Sequence, residues 1–107
     1  MLFRSVAGRR GVRSFSRSTS KDFIHWTEGV PQPHPNPDEQ IYTNPAFAYF
    51  RAPHIYLAFP LRYLPWSGGD IHRYPSDVIL LSARSGGPFQ RTFEEAFIRP
   101  GRDPQRW

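Results

Sequence analysis

The stretch Ile41–Leu64, IYTNPAFAYFRAPHIYLAFPLRYL, decides the fold class because it is the densest apolar and aromatic segment of the chain. Two runs within it, Ala46–Phe50 and His54–Phe59, predict β-strands, since aromatic and β-branched residues bounded by proline and asparagine are typical of strands. Neither face of the second run is fully polar, which indicates a strand inside a layered β structure. Arg51 and His54 lie within this apolar stretch, and a buried strand holds such polar groups only with partners.

Length and composition predict one small domain of short strands. A chain of 107 residues buries only a modest fraction of its surface. Twelve prolines and eight glycines leave few uninterrupted segments, and every proline lies at or after Pro31. Because proline inside a helix removes a hydrogen bond and clashes with the preceding turn, long helices are not expected. We therefore predict an all-β fold with long connections.

The positive charge is concentrated at the start of the chain. Six of the 14 basic side chains lie in residues 1–21, which contain no acid, and the rest of the chain has eight arginines and nine carboxylates. The high isoelectric point therefore predicts no nucleic-acid-binding face on the folded part. Cysteine is absent, which excludes disulfides and thiolate metal sites. No apolar run approaches the roughly 20 residues that span a bilayer, so no membrane segment is predicted.

Residues 1–18 allow two interpretations. They are rich in arginine and serine and free of acids, which is the composition of a mitochondrial transit peptide, and Arg13-Ser14-Phe15-Ser16 resembles a matrix-protease cleavage site. Glycines at positions 8 and 11 interrupt an amphipathic helix and count against that interpretation. In the second interpretation, Val12–Thr19 is a polar edge strand that leads into the following turn.

A turn pattern occurs twice along the chain. In Ser20–Trp26, the Ser20 and Asp22 side chains are placed to bond backbone N–H groups of a turn, and Trp26 anchors the next strand by burying its ring. Asp77–Leu81 predicts a continuous apolar strand, and Ser82–Phe89 then repeats the plan of serine, polar turn and aromatic residue. Repeated strand–turn–strand units favour a propeller or a solenoid.

Taken together, these segments resemble a bacterial branch of proteins similar to the N-terminal domain of glycoside hydrolase family 32. That branch belongs with the five-bladed β-propellers of the invertase and arabinanase type. The resemblance covers roughly residues 10 to 107 and rests on Thr19–Trp26, Tyr42–Asn44, Phe50–Pro60, Leu81–Arg84 and Arg91–Gly101.

The resemblance implies a partial β-propeller of about two blades. Residues 19–107 would form it, with blade-like units around 41–64 and 77–99, and residues 1–18 would contain the preceding strand in place of a transit peptide. Because a propeller closes only with several four-stranded blades, the resemblance implies a longer parent protein. The remaining blades of that parent would be the structural partners of this piece.

The resemblance also implies a chemistry. Such propellers hydrolyse glycosidic bonds with two carboxylic acids, a proton donor and a nucleophile or base. This chain lacks the Asn-Asp-Pro motif that carries the nucleophile, and Arg51-Ala52-Pro53 lacks the aspartate of the family's Arg-Asp-Pro motif. Glu95, in the family-like run Glu95–Gly101, is the candidate catalytic acid. The candidate substrate-binding residues are Arg51, His54, Asp77 and Arg99.

Simpler roles compete with these for several residues. Asp22 is expected to cap its turn, and Asp77 is expected to be a solvated residue at the edge of a strand if it does not face a central channel. Glu94 and Glu95 are adjacent, so in a strand they would point to opposite faces, one solvated and one directed inward. Arg51, His54 and Arg99 are equally compatible with structural ion pairs or backbone bonds.

The function implied is that of a carbohydrate-active propeller, a hydrolase of glycosidic bonds, with a carbohydrate ligand and no cofactor. A non-catalytic sugar-binding propeller is an alternative because the family's acids are missing. A small mitochondrial protein with a cleaved arm and a β interaction module is another. The four histidines are far apart and lack suitably spaced partners, so no metal site is predicted.

Overall fold

The computed structural model describes residues 2–7 (backbone only), 13–33, 36, 39–63 and 76–103. In these ranges the chain forms strands joined by turns and bends, which confirms the predicted all-β class. No helix that could cross a membrane is found among the described residues. The strands are β1 (Leu2–Ala7), β2 (Arg13–Ser18), β3 (Val30–Pro31), β4 (Gln40–Ile41), β5 (Ala46–Tyr49), β6 (Ala52–Ala58), β7 (Leu61–Tyr63), β8 (Ser76–Val78) and β9 (Leu81–Arg84).

The first sheet is an antiparallel meander in the order β1–β2–β3. β1 pairs with β2 along its whole length, from Leu2 opposite Ser18 to Ala7 opposite Arg13. β3 pairs with the other side of β2. β2 confirms the strand expected within Val12–Thr19, but it is a central strand, so its predicted position at the edge is wrong.

The other two sheets are the two halves of one bent meander. Three segments of the chain run through both halves, and each segment contributes one strand to each half. The strand orders are β4–β7–β8 in one half and β5–β6–β9 in the other. Backbone bonds continue across the bend, because the Tyr42 N–H donates to the Leu61 carbonyl at 2.8 Å and the Ile79 N–H donates to the Pro60 carbonyl at 3.1 Å. The three runs of the bent meander are residues 40–49, 52–63 and 76–84.

Prolines explain where the first two runs break. Pro45 lies between β4 and β5, and Pro60 lies between β6 and β7; neither has an N–H group to donate to a ladder. The third run breaks at Ile79 and Leu80, beside Pro60. The prediction of one continuous strand over Asp77–Leu81 is therefore wrong, since the segment is divided between β8 and β9 in different halves of the meander.

β5 and β6 confirm the two strands predicted in the central stretch, with ends shifted slightly. They form an antiparallel hairpin through a turn at Phe50 and Arg51. The register shifts between Ala48 and Tyr49, which leaves extra residues on β6. Pro53 lies at this irregularity, where a residue without an N–H group is tolerated inside a strand.

A fourth run, residues 90–98, lies antiparallel to the third. Ser82 pairs with Gln90 and Val78 pairs with Ile98 through isolated bridges. The chain between Gln90 and Ile98 is longer than the stretch it faces, so residues 91–97 leave the sheet as a loop, here called the 91–97 loop. Glu94 and Glu95 lie on bends in this loop, so the strand predicted for them is wrong.

The hydrophobic core lies between the first sheet and one face of the bent meander. Phe15 of β2 is fully buried, and its ring meets Phe89 edge-on at a centroid distance of 5.6 Å. Ala46 and Tyr56 pack against the same core from β5 and β6. The buried core residues are Phe15, Ile41, Ala58, Ile79, Leu81, Ala83 and Phe89.

Candidate functional site

Arg51 and His54 lie at the exposed end of the β5–β6 hairpin. The Arg51 guanidinium lies over the Phe50 ring at 5.4 Å from its centroid, and the His54 carbonyl accepts a hydrogen bond from the Ser85 N–H at 2.7 Å. Both side chains are exposed, so the expectation that they are embedded in a β core is wrong. The hairpin turn is the reason, because it carries Arg51 and the start of β6 away from the packed part of the sheet.

Asp77 is buried in β8, directly opposite Arg62 of β7. Its two carboxylate oxygens accept hydrogen bonds from Nε and Nη2 of Arg62, the first at 2.8 Å. The expectation of a solvated residue at a strand edge is therefore wrong. A carboxylate whose two oxygens accept hydrogen bonds from two nitrogens of one guanidinium forms a strong bidentate pair with it.

Glu95 and Arg99 are brought together at the surface. Glu95 Oε2 lies 3.3 Å from Arg99 Nη2, and about 70% of each side chain is exposed. Glu95 also lines a cleft of about 210 Å³ with apolar neighbours, and its inward orientation predicted from a strand does not hold. The residues lining this cleft are Leu80, Phe93, Glu95, Ala96 and Phe97.

The face of the bent meander opposite the core carries exposed aromatic rings. Ala46 and Ala58 pair across β5 and β6 and face the core, so by alternation Phe47 and Phe59 lie on the other face. Phe47 and Phe59 stack at a centroid distance of 6.0 Å, and Phe59 contacts Phe97 at 5.1 Å. Phe47, Phe59 and Phe97 form what we call the aromatic row, which reaches the Glu95 cleft through Phe97.

A buried ionic network that was not predicted from the sequence joins the second, third and fourth runs of the meander to Glu39, which directly precedes the first run. Arg62 Nη1 donates to Glu39 Oε1 at 2.6 Å while the rest of its guanidinium binds Asp77. Arg91 Nη1 donates to the same Glu39 oxygen. Two carboxylates and two guanidinium groups thus form a cluster of balanced charge, each with 11% of its side chain exposed or less.

The network lowers the pKa of Glu39. Burial alone raises this pKa, but the hydrogen bonds from Arg62 and Arg91 and their positive charges outweigh it, so the pKa lies below its ordinary value of 4.5. The hydrogen bonds from Arg62 to Asp77, reinforced by Glu39, raise the pKa of Arg62 against the opposing effect of burial. Glu39 and Arg62 therefore remain charged inside the protein at neutral pH.

Acidification is expected to destabilise the fold through Glu39. Because its folded pKa is depressed, the ionised carboxylate stabilises the fold above the ordinary pKa of 4.5 that the group has in the unfolded chain, and this stabilisation is lost as the pH falls through the folded pKa. Glu39→Gln should therefore flatten the decline in the free energy of unfolding below about pH 5. Urea unfolding measured at each pH gives this slope, and Glu28→Gln, at an exposed position, is the matched control. Superposable pH curves for the wild type and Glu39→Gln would contradict the assignment.

One signal of the network was readable in the sequence. Arg62 interrupts an apolar segment and Asp77 begins one, and opposite charges at such positions can pair across neighbouring strands. Glu39 and Arg91 had no such signal. They lie in turn-like sequence 52 positions apart, and only the folding of the fourth run brings them together.

The hydrogen bonds of the Ser20–Trp26 turn are those expected from its sequence. Ser20 Oγ accepts from the Phe23 N–H at 2.8 Å, and Asp22 Oδ1 accepts from the His25 N–H at 2.8 Å, which confirms Asp22 as a turn cap. His25 Nδ1 lies 2.7 Å from Asp22 Oδ2; this bond and those from the backbone hold the pKa of Asp22 well below its usual range. The Trp26 ring is exposed, so the expectation that it anchors the next strand by burying its ring is wrong. It packs edge-on against the exposed Phe23 ring at a centroid distance of 5.8 Å, and Ser20 bridges to Trp26 to close the turn.

The second turn follows the same plan with different residues. The Ser82–Gln90 bridge closes it, as the Ser20–Trp26 bridge closes the first. A left-handed residue occurs in each, Phe23 at φ 62° in the first and Gly86 at φ 79° in the second. Only glycine adopts this conformation without steric cost, so Gly86 has a structural role in the second turn. Its aromatic anchor, Phe89, is buried in the core.

The described residues therefore assemble one surface site and one buried network. The surface site combines the aromatic row with Glu95 and Arg99, whereas Arg51, His54 and Asp77 lie elsewhere. The described ranges contain no group of three or more His, Cys, Asp or Glu side chains suited to a metal ion. No protein-family model, no curated protein and no solved structure matches this chain.

Proposed function

We propose that this chain is a blade-level unit of a carbohydrate-active β-propeller protein and that it binds a glycoside. The architecture supports the first part. Three runs, 40–49, 52–63 and 76–84, follow one another up and down in antiparallel order, and a fourth, 90–98, lies antiparallel to the third and bridges to it at its two ends. This order of chain segments is compatible with a propeller blade. One face of this unit packs against a second antiparallel meander, as successive sheets do when they share a core.

The observation that carries the binding proposal is the aromatic row ending at the Glu95 cleft. Sugar rings present apolar C–H faces, which pack on aromatic side chains, and hydroxyl groups, which need donors and acceptors. Phe47, Phe59 and Phe97 supply contiguous ring surface. Glu95 supplies acceptors and Arg99 supplies donors at the end of that surface. A mostly apolar cleft with a few convergent polar groups is the usual form of a small-ligand site.

Hydrolysis of a glycosidic bond by this site would use Glu95 as the general acid. The reaction needs a second carboxylate across the scissile bond, roughly 5–10 Å away. Among the described residues lining the cleft, Glu95 is the only acid. We therefore assign binding to this chain and place hydrolysis in a longer parent protein, whose other blades would supply the second acid.

The binding proposal is tested by calorimetric titration of the wild-type chain with neutral oligosaccharides of hexoses and pentoses. Phe97→Ala and Glu95→Gln are each expected to weaken the affinity about three- to tenfold, since they remove a stacking surface and a charged acceptor. Phe50→Ala is the matched control, because Phe50 is an exposed aromatic residue outside the row. An equal loss of affinity in Phe50→Ala, or no binding of any oligosaccharide to the wild type, would refute the proposal.

Turnover of the same oligosaccharides is measured in parallel on the longest natural form of the protein. If that form hydrolyses a glycoside, Glu95→Gln should lower kcat, because the amide cannot donate the proton to the leaving oxygen. Unchanged turnover in Glu95→Gln would remove Glu95 from the catalytic set while leaving its binding role to the titration.

A further inference from the structure

The 91–97 loop is held from inside by the side chain of Arg91, which is fully buried. Arg91 Nε donates to the Phe93 carbonyl at 3.0 Å, and Arg91 Nη2 donates to the Glu94 carbonyl. These two carbonyls immediately precede Glu95 in the chain. The loop that carries Glu95 and Phe97 is therefore bonded to a side chain at its own base.

The same guanidinium is bonded to the body of the meander. Arg91 Nη1 donates to Glu39, which also binds Arg62, and Arg62 binds Asp77. Charged hydrogen bonds thus connect the loop to the second and third runs of the sheet and to Glu39, which directly precedes the first run. Glu94 Oε2 lies 3.5 Å from Arg91 Nη1 at the exposed side of this connection.

From this geometry we infer that Arg91 is a positioning residue for the Glu95 cleft. It fixes the carbonyls of Phe93 and Glu94, and through them the orientation of Glu95 and Phe97 that the proposed glycoside site requires. The effect of Arg91 on glycoside binding rests on the proposed function, whereas its effect on the conformation of the 91–97 loop does not. Arginine is required because one planar guanidinium offers five donors in a rigid fork, and the three acceptors lie around it. A lysine ammonium keeps the charge but is a point donor without that fork.

Two backbone amides report on the loop independently of any ligand. The N–H groups of Phe97 and Ile98 both donate to the Val78 carbonyl, at 2.7 and 3.1 Å, where the loop rejoins the sheet. Release of the loop from Arg91 would open these bonds while leaving the β5–β6 ladder closed. Amides of β6 therefore report global unfolding, and those of Phe97 and Ile98 report the loop.

The experiment measures amide hydrogen exchange by NMR in the wild type, Arg91→Lys and Arg91→Ala, with Arg102→Lys, at an exposed position, as the control. In Arg91→Lys we expect exchange at Phe97 and Ile98 to accelerate about tenfold relative to the β6 amides, as the loss of about one net hydrogen bond predicts. Arg102→Lys should leave this ratio unchanged. In Arg91→Ala, guanidinium ion at a sub-denaturing concentration should restore slow exchange, whereas ammonium ion should not.

If Arg91→Ala does not fold, Glu39→Gln provides a second test of the role of Arg91. This variant removes the negative charge that binds Arg91 and retains the side-chain volume. It should accelerate the same two amides. The inference would be overturned if, in both Arg91→Lys and Glu39→Gln, exchange at Phe97 and Ile98 relative to the β6 amides were the same as in the wild type. If the wild type binds no oligosaccharide, the proposed function fails and the exchange ratios still decide the role of Arg91. If oligosaccharides bind, Arg91→Lys should lower their affinity at least threefold. Wild-type affinity in an Arg91→Lys variant whose Phe97 and Ile98 amides exchange faster would also overturn the inference.

Discussion

Replacing Phe15 with alanine is expected to lower the free energy of unfolding by about 3–5 kcal/mol. The side chain has no exposed surface, and it joins the first sheet to the bent meander through Phe89. The alanine variant would lose the free energy gained by burying the phenyl ring away from water, and a cavity would remain between the two sheets. A domain of this size is stable by only about 5–15 kcal/mol, so this one substitution would remove a large fraction of the total stability.

Urea unfolding followed by circular dichroism measures this loss directly. Phe50→Ala is the matched control, because Phe50 is 78% exposed, and it should change the free energy of unfolding by less than about 0.5 kcal/mol. Similar values for Phe15→Ala and Phe50→Ala would show that the two sheets do not share a core.

The same residue bears on the alternative of a cleaved mitochondrial arm. Cleavage near Ser16 would remove β1 and the start of β2. The core would then lose the Phe15 ring. A strongly destabilised Phe15→Ala variant therefore argues against a stable processed form, since processing removes the same contacts and more. Mass spectrometry of the mature protein complements the unfolding data, because an intact Met1 counts against cleavage.

Replacing Arg62 with methionine is expected to destabilise the protein by a comparable amount, about 3–5 kcal/mol. Methionine fills similar space but leaves the Asp77 carboxylate buried without the guanidinium that binds both of its oxygens. Glu39 retains its bond to Arg91, so the loss arises chiefly at Asp77. An uncompensated buried charge is among the most destabilising changes in a protein interior.

A double variant separates the lost charge from the lost packing. Arg62→Met/Asp77→Leu removes both charges, and it should recover at least half of the stability lost in Arg62→Met, because apolar replacement of a whole buried pair is often neutral. Arg99→Met is the surface control, since its pair with Glu95 is exposed, and it should cost less than about 1 kcal/mol. Equal losses in Arg62→Met and Arg99→Met would contradict a buried network.

Local sequence patterns predicted those parts of the fold that depend on neighbouring residues. The strands of the central stretch follow from their aromatic and β-branched residues, and the cap at Asp22 follows from the short reach of its side chain to the next backbone N–H groups. The prediction for Asp77–Leu81 was wrong because an apolar run is compatible with one strand or two. The bend beside Pro60, a residue of another run, divides it.

The candidate site was predictable only in part for the same reason. Glu95 and Arg99 are four positions apart, so their proximity is compatible with local geometry. The aromatic row is not local, because it joins Phe47, Phe59 and Phe97 from three different runs. Arg51 and His54 are polar residues in an apolar stretch, and nothing in that pattern distinguishes a buried polar group from one exposed at a hairpin end.

The sequence by itself determined the all-β class, the two strands of the central stretch and the two serine turns of this protein. These features depend on proline, glycine, side-chain alternation and short-range hydrogen bonds, which act within a few residues. Only the tertiary structure decided that Glu39, Arg62, Asp77 and Arg91 form one buried network and that the 91–97 loop is bonded to it. The physical reason is that charges are stable inside a protein only when folding brings their partners from distant positions into contact.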